Sequence, residues 1–413
     1  MDRRHFLKLT GAGAMAAAVP MGLRPAIARA AAPAWAADLP DDITITRIVS
    51  FRLPTTRSKL AGRNAQLDIH GDSSSDMMAR IYTDAGIEAL GTSWGGEREL
   101  YQQLLGRKLT DFYDAESNAM RSPLGRFSMG LWDLAGKAVG KPVHALLSDH
   151  HQPDVRVYDG SIYFMDLLPQ YADHWQDRLR EEIDMGIDAG HRTFKVKIGR
   201  GHKWMDRAQG DRRDVEVLSI IREHGGRDIH IGIDANNGYD LPRLLRLMDE
   251  VGHLEIDFTE EVFPENVEKY LALKESYRQM NLGTLIADGE NIHNLDELGP
   301  YLDAGAIDVY QCDMKSLGFE DVRRMARMAG DRRAVVAPHN WGSLIGFYMQ
   351  VQVGHALPNF YLAERDPLST DVLTTDGYQV QAGYATAPQA PGMGLSINED
   401  AFAQLTPEYD ISI

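Results

Sequence analysis

The chain has 413 residues, of which 44% are hydrophobic and 25% charged, a globular composition too long for one ordinary small domain. Its formal net charge of −17 argues against nucleic acid or an anionic membrane as a partner. The single cysteine, Cys312, excludes an internal disulfide and reads, inside an apolar run, as an inert core thiol.

The first 30 residues read as a targeting segment. Arg3-Arg4 precede Phe6-Leu7-Lys8, a short Ala- and Gly-rich stretch follows, and Ala28-Arg29-Ala30 offers a small-x-small cleavage site. This resembles a twin-arginine export signal, which carries folded proteins to the periplasm. Cleavage is expected after Ala30, with Ala36 as the alternative. The apolar stretch is too short and too weakly apolar for a stable membrane span.

An α+β domain is expected over residues 41–150. ITITRIVSFRL alternates as a strand, Thr55 to Ser75 reads as a long polar loop, and MMARIYTDAGIEALGTS reads as a hairpin turning at Asp84-Ala85-Gly86. Phe127, Leu131, Leu134 and Ala138 recur at helical spacing, and Gly140 and Pro142 mark the helix end. Over 155–375, eight β-like runs alternate with seven helical segments: VRVYDGSIYF, TFKVKIG, IHIGIDAN, IDFTEEV, TLIADGE, IDVYQCDM, AVVAPHNW and NFYLAERD. Mostly apolar strands alternating with helices imply an α/β fold, a (β/α)7β barrel. The Gly- and Pro-rich segment 376–413 is expected to return to the first domain.

Charged residues close these strands at intervals of roughly 25 residues, the length of one β/α unit, so they converge at one barrel end. Asp234, Glu260 and Glu290 end strands three to five. Three convergent carboxylates repel unless a cation lies among them, and all-oxygen ligands suit magnesium, with manganese as the alternative. Each could instead cap the following helix. Lys195 and Lys197 end strand two and share one face. Mutual repulsion would lower their pKa values and make Lys197 a base, unless both snorkel to solvent. Asp313 and His339 end strands six and seven, where the Asp would orient the imidazole. Glu364 ends strand eight and could donate to a substrate carboxylate oxygen or pair with Arg365 or Lys197.

The order KxK, D, E, E, D, H, E resembles the enolase superfamily, mandelate racemase subgroup, across nearly all of the mature chain. FKVKIGRG, IDAN, TEE and GEN resemble its base and metal motifs; SMGLWDLAGKAVGKPVHALL and PGMGL resemble its capping helix and C-terminal return. The resemblance implies Asp234, Glu260 and Glu290 as magnesium ligands. It implies Lys197 and the His339–Asp313 pair as bases on opposite faces, with Glu364 and Lys195 assisting. Val262 stands where the family's Pro follows the Glu pair, which keeps Glu261 open as an alternative to Glu260. Asp288 is likewise an alternative to Glu290.

Proton abstraction next to a carboxylate, through an enediolate, is the implied step. Dehydration of a sugar acid to a 2-keto-3-deoxy acid is the leading expectation. Racemisation or epimerisation of a 2-hydroxy acid, cycloisomerisation, and a non-catalytic periplasmic binding role are the alternatives. Candidate pocket residues are Asn236, Tyr158, Tyr163, Lys203, Trp204 and Trp341, with Arg57, Lys59, Arg63 and His70 on a lid. The family also implies a homo-oligomer.

Overall fold

Alternation in the first segment builds an antiparallel meander of β1 (Ile45–Ala61), β2 (Gly71–Thr83) and β3 (Glu88–Thr92). The computed structural model describes residues 32–93, 95–375 and 377–413, so the export signal and Ala30 lie outside the described residues. Thr55 to Ser75, expected as a loop, is mostly strand: β1 and β2 pair from Ile45–Thr83 to Ala61–Gly71, leaving a connection at 62–70. Its polar composition conceals an alternation in which Thr55, Arg57 and Lys59 are buried and Thr56 and Ser58 exposed. Buried cations survive there because each meets a carboxylate: Arg57 with Asp366 at 2.8 Å and Lys59 with Glu182 at 3.2 Å.

The predicted β2–β3 hairpin forms, turning through Gly86 at φ +73°. α1 (Met129–Val139) stops at Gly140, whose left-handed φ of +67° ends the helix. Upstream, Trp35 lies in the short 3-10 helix Ala34–Asp38 and is only 5% exposed. Its indole donates to the Leu146 carbonyl at 3.1 Å and packs on Tyr113 and Trp132. Cleavage after Ala36 would remove this core residue, which speaks for the upstream site.

Eight parallel strands follow. β4 (Val155–Ile162), β5 (Thr193–Lys197), β6 (His230–Asp234), β7 (Ile256–Glu260), β8 (Leu285–Asp288), β9 (Val309–Tyr310) and β10 (Val335–Val336) are neighbours in chain order. β11 (Ala363–Arg365) pairs back onto β4. The Tyr361 amide donates to Val336 at 2.8 Å and the Val336 amide to Asn359 at 3.0 Å, carrying the ring from β10 towards β11. Tyr158, Phe258, Ala287, Val309, Ala337 and Leu362 fill the interior as an apolar layer.

Between the strands lie α2 (Trp175–Asp188), α3 (Arg207–Gly225), α4 (Leu241–Val251), α5 (Val267–Gln279), α6 (Gly299–Ala304), α7 (Met314–Gly330) and α8 (Leu344–Ala356). Side chains of Asp206, Asp240, Asn266, Asp313 and Ser343 cap α3, α4, α5, α7 and α8 at their first free amides. The chain end returns to the meander as β12 (Leu368–Ser369) and β13 (Pro407–Ser412), both antiparallel to β1. The Met393 amide also donates to Asp133 of α1 at 2.7 Å.

Candidate active site

Strand register assembles the site. Lys197 of β5 lies opposite Asp234 of β6, which lies opposite Glu260 of β7, so three charged ends share one level. Lys195, one pleat below, shares the inward face of Lys197. Its Nζ is 2.7 Å from Glu260 Oε1, 2.7 Å from Glu364 Oε1 and 3.5 Å from Asp234 Oδ2. Lys197 pairs with Asp234 Oδ2. Glu364 therefore pairs with Lys195, not with Arg365 or Lys197. It fits there because β4 carries Gly160, where a Cβ would lie 2.7 Å from Glu364 Oε1.

The carboxylates, not lysine–lysine repulsion, dominate the lysine charges. Burial opposes the charge on Lys197, but the adjoining Asp234 outweighs it and holds its pKa well above the ordinary value. Burial likewise opposes charge on Lys195, and Glu260 and Glu364 overcome it. The expectation of a depressed Lys197 pKa is thus reversed in this arrangement. Burial pushes the Glu260 carboxyl up to about 7 against the pull of Lys195.

His339 departs from its expected partner. Its Nδ1 lies 2.9 Å from Glu290 Oε2 and 3.3 Å from Glu364 Oε2. Asp313 instead accepts the Ser316 amide at 2.8 Å as the N-cap of α7, because the helix start needs an acceptor there. The link between the two is backbone, from the Met314 amide to the His339 carbonyl at 3.0 Å. Burial disfavours the imidazolium, yet Glu290 and Glu364 raise its pKa to about 10.

Of the alternative acids, Asp288 turns outward to accept the Tyr270 hydroxyl of α5, leaving Glu290 beside His339. Glu261 has a positive φ of +44° and accepts from Asn236 at 2.8 Å and Asn291 at 2.7 Å. Burial and the neighbouring Glu290 push its carboxyl up to about 9.

Donor atoms of Glu260, Glu290 and His339 all lie within 4.8 Å of one another. Glu290 Oε2, Glu364 Oε1 and His339 Nδ1 are buried without an aligned hydrogen bond. Converging, under-satisfied carboxylate oxygens suit a hard divalent cation. Asp234, expected in this group, is engaged by Lys197, and His339 takes its place in the close cluster.

The expected pocket residues divide. Trp341 stacks on Tyr163 at 4.7 Å and donates from its indole to His70 Nδ1 at 3.2 Å; Lys197 Nζ lies 5.2 Å from the Tyr163 ring. These three rings pack together beside Lys197, and the Trp341 amide lies 3.4 Å from His339 Nε2. Asn236 stands at the rim with a buried, unpartnered Oδ1. Tyr158 is fully buried in the apolar layer below Lys195, and Arg57 spends its donors on Asp366 and the Ser73 carbonyl at 2.9 Å. Strand alternation thus points Tyr158 inward, and a carboxylate holds Arg57. Lys203 and Trp204 donate to the Gln66 and Asn64 carbonyls and hold the 62–70 connection. Gln311, not anticipated, donates to Glu260 Oε2 at 2.7 Å. Its signal was a polar residue one pleat below Asp313 in an apolar strand.

Residues 178–401, more than half the chain, match the family described as enolase C-terminal domain-like, and residues 1–20 match the twin-arginine translocation signal family. Export through that pathway follows from the second match. D-galactarolactone cycloisomerase of Agrobacterium fabrum is 26% identical over 300 residues, 68% of this chain and 73% of that protein. D-xylonate dehydratase of Haloferax volcanii is 26% identical over 357 residues, covering 79% and 84%. A galacturonate dehydratase variant from Geobacillus sp., complexed with Mg, superposes with a TM-score of 0.84 at 27% identity, covering 91% and 98%. The same enzyme with D-galacturonate and 5-keto-4-deoxy-D-galacturonate gives 0.81 at 29%, covering 88% and 96%. With a barrel whose charged strand ends converge on one site, the chain belongs to the enolase C-terminal domain-like family and is an enzyme of the mandelate racemase branch of the enolase superfamily.

Proposed function

We propose that the protein is a magnesium-dependent dehydratase that converts a sugar acid to a 2-keto-3-deoxy acid in the periplasm. The observation carrying this reading is the placement of two proton carriers, Lys197 on β5 and His339 after β10, on separate arcs of one barrel mouth. Lys195 and Glu364 lie paired between them. Asp234, Glu260 and Glu290 would hold magnesium, or manganese, which when bound supplies positive charge for the substrate carboxylate and its enediolate.

The chain's own groups supply the rest. Lys197 takes the α-proton from one side in its neutral form, which requires that Asp234, turned to a cation, no longer hold the lysine charge; His339 delivers a proton to the departing β-hydroxyl from the other. Lys195 and Glu364 hold the carboxylate end, and the His70–Tyr163–Trp341 cluster excludes water. The same two carriers favour a second reading, racemisation, in which His339 returns the proton to the opposite face of a substrate without a β-hydroxyl. In line with the resemblance, we also propose a homo-oligomer, to be read by sedimentation.

The test incubates the purified protein with magnesium in D2O and a panel of aldonic, uronic and aldaric acids. Loss of water to a 2-keto acid is the expected result. α-Hydrogen exchange without water loss would select racemisation, and no exchange on any acid would overturn the enzymatic reading.

A further inference from the structure

His339 stands at the start of a loop, 339–343, that runs from β10 into α8. A catalytic group on a loop needs that loop held from outside, because a displacement near 1 Å costs about a hundredfold in rate. The barrel side holds the loop's first residues: the His339 amide donates to the Gln311 carbonyl at 3.1 Å, the Met314 amide to the His339 carbonyl at 3.0 Å and the Asn340 amide to Glu364 Oε2 at 2.7 Å. The remaining anchors come from the β1–β2 hairpin and from the segment after β11.

Asp76 of β2 is 2% exposed and reaches across to the start of α8. Its Oδ2 accepts the Leu344 and Ile345 amides at 2.9 and 3.2 Å. Its Oδ1 accepts the Ser343 hydroxyl at 2.6 Å and Lys315 at 3.1 Å. The Ser343 oxygen in turn accepts the Gly346 amide at 2.8 Å. α8 thus has a shared N-cap, half from its own Ser343 and half from a strand of the meander. Ser74, two residues earlier on the same strand face, donates to the Gly342 carbonyl at 2.6 Å. Arg57 of β1 fixes Asp366, which accepts the Gly342 amide at 3.1 Å. Its guanidinium lies 4.9 Å from the Trp341 ring. Backbone groups from Gly342 to Ile345 therefore end on Asp76, Ser74 and Asp366.

We infer that Asp76, with Ser74, is a positioning group for His339, so that the meander strand, by fixing the far end of the loop, adds to the barrel's hold on the His339 main chain in setting where the imidazole stands. This rests on the proposed role of His339. Lys197 has no such dependence, since it lies inside the β5 ladder, held by β4 and β6. The two proton carriers thus answer to different parts of the molecule, and loosening Asp76 separates them.

The experiment compares wild type, Asp76→Ala and Ser74→Ala as full chains with magnesium in D2O. D-galacturonate, D-galactonate, D-gluconate and D-xylonate are the probes, and α-hydrogen exchange and water loss are followed together. In Asp76→Ala, kcat for water loss is expected to fall about tenfold or more, with KM within about twofold. The ratio of exchange to elimination should rise by about the same factor. Ser74→Ala, which removes one partly buried hydroxyl and keeps the helix cap, should shift the ratio in the same direction by less, at an unchanged melting midpoint. It decides the matter alone if Asp76→Ala does not fold. Parallel loss of both reactions, or an unchanged ratio in folded variants, overturns the inference while leaving the proposed function intact. A wild type silent on all four acids overturns both.

Discussion

Lys195 and Glu364 form a buried pair between Lys197 and His339, the two proposed proton carriers. Their pair exists only because Gly160 leaves room for the glutamate. Gly160→Ala should lower kcat by about tenfold or more, since Glu364 must move to admit the methyl. Steady-state turnover with a crystal structure of the variant checks both halves of this statement. His339→Asn removes the proton carrier and should cost about a thousandfold in water loss; full activity in that variant would deny His339 its role. Most site residues could be recognised in the sequence because a charge at the end of an apolar run is conspicuous: Lys195, Lys197, Asp234, Glu260, Glu290, His339 and Glu364. Their partners could not be. Asp313 caps a helix and Asp288 meets a tyrosine of α5, and neither choice leaves a trace in spacing.

At the scale of elements, the barrel strands announced themselves and the lid did not. Burial on both faces writes a strand as an apolar run, whereas β1 past Leu53 buries Arg57 and Lys59 against carboxylates distant in sequence. A polar strand of that kind is indistinguishable from a loop until its partners are known. The short helix Ala34–Asp38 is a similar case: its single contribution is Trp35, seated against Tyr113 and Trp132. Trp35→Ala in the processed protein should cost about 3–5 kcal/mol of stability, measured by denaturant unfolding. A mature N-terminus found downstream of Ala36, with undiminished stability, would contradict that seat.

Across the whole molecule, buried histidines outside the site tie stability to pH. His191 accepts from Arg365 at 3.3 Å, and burial lowers its pKa to about 4. His144 is likewise pushed by burial to about 4. His355 accepts the Ala387 amide at 3.1 Å through Nε2, which requires the neutral ring, and burial lowers its pKa too. Groups depressed on folding contribute stability above about pH 6.5 that is lost as pH falls towards 4. The melting midpoint should therefore drop over that window, and His191→Gln should flatten the drop; an unchanged slope in the variant would remove His191 from the account. Among the described residues no helix is long and apolar enough to cross a membrane.

The sequence by itself determined the export route, the barrel and the residue types at its mouth, because periodicity and terminal charges are local properties of the chain. Only the tertiary structure decided which charge neutralises which. Asp234 rather than a second lysine governs Lys197, glutamates rather than Asp313 face His339, and Asp76 of the meander completes the cap of α8. Those outcomes depend on through-space distances between groups far apart in sequence, where burial makes each unpaired charge costly and the nearest opposite charge prevails.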